Sequence, residues 1–65
     1  MVGLTDNDQN YARWVKSVTA KLEALLEIST SDAQGVVESH EFELGNEWCK
    51  GTDADETAQQ LAKQV

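Results

Sequence analysis

Tyr11-Ala12-Arg13-Trp14-Val15-Lys16-Ser17-Val18-Thr19-Ala20-Lys21-Leu22-Glu23-Ala24-Leu25-Leu26 decides the fold. Its apolar residues Tyr11, Trp14, Val15, Val18, Leu22, Leu25 and Leu26 recur at steps of three and four. That spacing makes one continuous stripe on an α-helix and turns Arg13, Lys16, Glu23 and Glu27 to the other side. Upstream, Asp6-Asn7-Asp8-Gln9 has the form of a capping box, a short acceptor followed three positions later by Gln. The first helix is therefore expected over residues 7–28, roughly 33 Å at the usual rise per residue.

Ser29-Thr30-Ser31 ends the stripe, because short hydroxyl side chains compete for backbone hydrogen bonds. Ser31-Asp32-Ala33-Gln34 is a second capping box, with Asp32 at the positive end of the next helix dipole. Two readings of the following segment compete. As one helix over 32–50, Ala33, Val36, Val37, His40, Leu44 and Trp48 share a face, and Gly51 stands where a helix-ending glycine belongs. As a hairpin, His40-Glu41-Phe42-Glu43-Leu44 alternates with period two before a Gly45-Asn46 turn. The helix is the better reading: the hairpin leaves a very short return strand and wastes the cap at Ser31. Gly45-Asn46 then marks a weak point in the helix. Thr52 or Asp53 can cap a third helix over 53–64, Asp53-Ala54-Asp55-Glu56 being a further capping box, with Ala58, Leu61, Ala62 and Val65 on its apolar face. The expected fold is all-α: a small three-helix bundle, in one domain over 1–65, in which a short third helix closes an antiparallel helical hairpin.

Composition limits what such a fold can do. The chain has 65 residues and a formal net charge of −7, too small for a nucleotide-binding or barrel enzyme. One cysteine makes neither an internal disulfide nor a zinc ribbon. No apolar run is long enough to span a bilayer, and Met-Val-Gly-Leu-Thr-Asp at residues 1–6 has no signal-peptide character. These features point to a cytoplasmic protein without a membrane association. The charge is uneven. Residues 1–28 carry four acids against three bases, a net of −1, while residues 29–65 carry eight acids against two bases, a net of −6. Phosphate binding needs clustered Lys and Arg, so direct nucleic-acid binding is not expected.

Several local patterns imitate reactive motifs. Asp53-Ala54-Asp55-Glu56-Thr57 matches the D-x-D-x-T string of aspartate-nucleophile phosphatases, but that chemistry requires a preceding buried parallel strand. The same acids begin like a calcium loop, yet position six is Ala58 and position twelve is Gln64. Capping explains them. His40, Glu43 and Glu47 fall within one sector of a continuous helix, but the facing stripe of the first helix offers no further ligand. Cys49 has no base beside it, since His40 would lie on the opposite face of that helix. No catalytic residue, metal ligand or cofactor is therefore assigned.

The remaining feature is a second face on the middle helix. Phe42 and Cys49 are seven residues apart and point the same way, with Gly45 nearby and Glu38 and Glu41 beside them. One large apolar residue among small ones is a natural anchor for a partner. The same stripe is also explained if the middle helix is packed on both sides. From Phe42, Cys49, Glu38, Glu41 and Gly45 we expect a non-catalytic protein acting by protein–protein interaction, such as a bacterial or phage accessory regulator or inhibitor. The alternatives are a structural homo-oligomer, a homodimer in its simplest form, and an acidic mimic of DNA that occupies a nucleic-acid-binding protein.

Overall fold

A computed structural model describes the backbone from Asp6 to Val65 and the side chains from Asn10 onward. The Asp6–Gln9 capping box, the residues before it and their leader character lie outside the described residues and side chains. Among the described residues the chain is helical without strands, and the helices number four rather than three: α1 (Asp6–Leu26), α2 (Thr30–Ser39), α3 (Glu41–Lys50) and α4 (Ala54–Gln64).

Helix α1 follows its apolar stripe except at Leu25, which is 48% exposed, and it ends two residues before the expected position. Glu27 adopts a left-handed conformation at φ 55°, and the Ile28 amide donates to the Glu23 carbonyl at 3.2 Å. This satisfies an orphan carbonyl and turns the chain back while Ile28 packs against the core. The cap of α2 is Ser29, not Ser31. Its side chain accepts from the Asp32 amide at 3.2 Å, and its carbonyl accepts from Ala33 at 2.9 Å. Ser29-Thr30-Ser31-Asp32 has the same short-acceptor form two residues upstream. Starting there, α2 places Ala33 and Val37 in the core.

The expected helix over 32–50 is interrupted at His40, where φ is −122° and ψ is 30°. Neighbouring side chains compete for the carbonyls that would carry the helix onward. Ser39 Oγ donates to the Gly35 carbonyl at 2.9 Å, and His40 Nδ1 donates to the Val36 carbonyl at 2.7 Å. The His40 amide makes a tight bond to Val37 at 3.0 Å, and the helix restarts as Leu44 donates to His40 at 2.9 Å. Gly45-Asn46, the expected weak point, lies inside α3.

Helix α3 ends as its glycine predicts. Gly51 sits at φ 82°, Thr52 donates to the Glu47 carbonyl at 3.0 Å, and Gly51 donates to Trp48 at 3.0 Å. Both bonds of a Schellman termination are present. Asp53 then caps α4, accepting from the Glu56 amide at 2.9 Å as expected. The inner face of α4 is Thr57, Ala58 and Leu61; Val65, expected on it, is exposed. Thr57 is accommodated because its hydroxyl donates to the Asp53 carbonyl at 2.9 Å.

The core joins Val18 and Leu22 of α1 to Ala33, Val37, Leu44, Ala58 and Leu61. Helix α1 is the shared support: α4 and α2 both pack along it. Near its start, Tyr11, Trp14 and Trp48 form a ring cluster with centroid separations of 5.9, 5.4 and 5.4 Å. The Trp14 indole also donates to the Thr52 carbonyl at 3.0 Å. One aromatic residue of α1 therefore holds both α3 and the turn into α4.

Two predictions follow from the helix ends. Glycine in place of Glu27 removes the left-handed strain and an acid at the negative end of the α1 dipole, so Glu27→Gly raises stability by about 0.5–1 kcal/mol in urea denaturation. Glu27→Ala gains only the smaller charge contribution, which isolates the backbone effect. At the end of α3, Glu47 is only 6% exposed. A hydrogen bond from Thr52, then the Lys50 ammonium at 3.2 Å, holds its carboxyl below the ordinary value of 4.5. A lowered carboxyl stabilises the fold at neutral pH, and that contribution begins to be lost as pH falls below about 4.5. Glu47→Gln should lower the melting temperature at pH 7, with the gap to wild type narrowing progressively as pH falls below about 4.5.

Candidate interaction surface

Helix α3 has two dissimilar sides. Leu44, 1% exposed, and Glu47 point into the fold, and Trp48 joins the ring cluster. Opposite Leu44, at about 100° per residue, lie Phe42, Asn46 and Cys49. Phe42 is 85% exposed, and Cys49 is a free, exposed thiol. Phe42 is thus not a core residue covered on two sides. A Cβ added at Gly45 would meet nothing within 4 Å, so the backbone there is open to an approaching element rather than closed against its own chain.

The acids assigned to this surface lie elsewhere in part. The interruption at His40 breaks the single-helix register that aligned Glu38 and Glu41 with Phe42 and Cys49. Glu38 and Glu41 instead border an open groove of about 550 Å³ between α1 and the end of α2. Val15 and Val37 line the groove, and Arg13 and Lys16 of α1 form its other charged border. Among the described side chains, none of these four charged residues makes a salt bridge; the ion pairs are Lys21 with Asp55 at 3.7 Å and Lys50 with Glu47 at 3.2 Å. Glu41 connects the two features: it borders the groove and directly precedes Phe42.

Sequence reasoning missed this groove. Arg13 and Lys16 are three residues apart, which places them on neighbouring positions of one helical face, and that much was legible. Their confrontation with Glu38 and Glu41 depends on how α2 returns along α1 and where it stops, which periodicity does not reveal.

The candidate metal triad is dispersed. His40 Nδ1 donates to Val36, Glu43 accepts from Gln64 at 2.7 Å, and Glu47 accepts from Lys50. Among the described residues, no three His, Cys, Asp or Glu side chains stand together in a way that could hold a metal ion. No helix among them is long and apolar enough to cross a membrane. The arrangement offers recognition elements: an exposed ring, an open backbone beside it and an apolar groove with opposite charges on its borders. No protein-family model, curated protein or solved structure matches the chain.

Proposed function

We propose that the protein is a non-catalytic interaction protein, with Phe42 as the anchor of its binding surface. The observation that supports this is the position of Phe42. A large ring left 85% exposed on a well-formed helix contributes nothing to the core, whereas burial by a partner would yield about 1.5–3 kcal/mol. Cys49 extends the same face, and Gly45 permits close approach. Glu41, directly before Phe42, supplies charge at its border, and Glu38 lies along the adjoining groove; ion pairs there guide orientation and rate of encounter more than they add affinity.

In this reading the chain is a regulatory or inhibitory adaptor: it occupies a surface of another protein and alters what that surface can do. Its acidity, concentrated in residues 29–65, favours partners with a basic border around an apolar recess.

The test is affinity capture from a native extract with the wild-type chain and Phe42→Glu as parallel baits. Because Phe42 is outside the core, the substitution should change stability by less than about 0.5 kcal/mol. Specific partners of the wild type should be lost from the variant. A variant that keeps its helicity and retains every partner removes Phe42 from the binding surface.

A further inference from the structure

The groove between α1 and α2 is lined from α1, α2 and the first residue of α3, with nothing from α4. Helix α4 packs along α1 elsewhere, so this side of the helical pair keeps an open seam. We propose that the seam docks a helix of a different protein, one whose apolar stripe carries acids along one edge and bases along the other. This goes beyond the Phe42 reading, because it uses another face and a partner of another chemistry.

Shape and charge both support this occupant. On α1 the groove runs from Ala12 to Thr19, about 10 Å or two turns at the usual rise. Two neighbouring helices present a third with such a groove, into which its ridge of side chains packs. The floor is apolar. It includes Val15 and Val37, and the Thr19 hydroxyl is spent on the Val15 carbonyl at 2.9 Å. Selection therefore falls to the walls, which differ in sign. Arg13 and Lys16 stand on α1, and Glu38 and Glu41 stand on the opposite wall. All four are exposed, and among the described side chains none of them makes an ion pair across the groove or elsewhere. A basic wall matches an acidic flank and an acidic wall a basic one, as flanking charges do in coiled coils. A helix with like charges on both flanks satisfies one wall and opposes the other. A second copy is a poor occupant, since two chains of −7 repel; a helix with balanced flanks brings no net charge.

The test is a titration of the isotope-labelled full chain, followed by amide chemical shifts at about 0.15 M salt, where long-range attraction is screened. Three synthetic peptides of about 14 residues share one Leu seam and are cross-linked on the outer face to hold the helix. One carries Glu on one flank and Lys on the other, the second Glu on both flanks, the third Lys on both. The mixed peptide should bind at least about tenfold tighter than either uniform one, with the largest shifts over residues 12–19 and 34–41. Reversing a wall should switch the choice. Arg13→Glu with Lys16→Glu should prefer the Lys-flanked peptide, and Glu38→Lys with Glu41→Lys the Glu-flanked one. Circular dichroism confirms that each variant keeps its helices. Phe42→Glu should bind the mixed peptide as the wild type does. No binding of the mixed peptide up to about 1 mM, or a preference that does not follow the walls, overturns the proposal. So does binding that is lost in Phe42→Glu, which moves the peptide to the α3 face. Groove shifts on concentrating the chain alone would assign the groove to a second copy and overturn it too. Whether Phe42 anchors another partner is decided separately, by the capture experiment.

Discussion

The hydrogen bond from the Trp14 indole to the Thr52 carbonyl, 3.0 Å long, ties the end of α3 and the start of α4 to α1. Thr52 is the residue after the left-handed Gly51, and its amide is already committed to Glu47. Its carbonyl points back to α1, while the Trp14 ring packs against Trp48. A single side chain therefore grips the last turn of α3 and the segment that launches α4. Short helices of ten and eleven residues are marginal in isolation. Here their caps and this tertiary tie give them fixed positions.

A continuous helix over 32–50 already sets Leu44 on the side of Ala33 and Val37 and turns Phe42 to the opposite side. Across the interruption at His40, where Ser39 and His40 take α2 carbonyls, Leu44 stays in the core and Phe42 stays exposed. With Leu44 and Glu47 turned inward and Trp48 held by α1, Phe42 must point outward. The interruption also leaves Glu38 and Glu41 along the groove opposite Arg13 and Lys16. Recognition elements thus arise from ordinary packing demands met elsewhere in the fold.

Much of this was legible from local chemistry. The α1 stripe, the Asp53 cap and the Gly51 termination each follow from residues close in sequence, and the structure contains all three. Three features were not legible. Glu27 takes a left-handed conformation that glycine ordinarily takes, so no residue type announced the end of α1. Ser29 and Ser31 both offer a cap with the same short-acceptor form, so local sequence did not decide between them, and Ser29 is the one used. The stop at His40 arises from side chains competing for carbonyls within a segment whose apolar spacing runs on unbroken. The Phe42 face was visible as an unexplained residue, but the groove beside it required tertiary contacts.

Trp14→Phe, measured by urea denaturation with amide hydrogen exchange, tests the organising role of this residue most directly. The substitution keeps an aromatic ring and removes the indole donor to Thr52. A loss of about 1–2 kcal/mol is expected, with amides of Leu44–Trp48 losing protection before those of Val18–Leu22. Unchanged stability and unchanged protection across α3 would contradict the account, because α3 and its outward Phe42 would then be held by something other than Trp14.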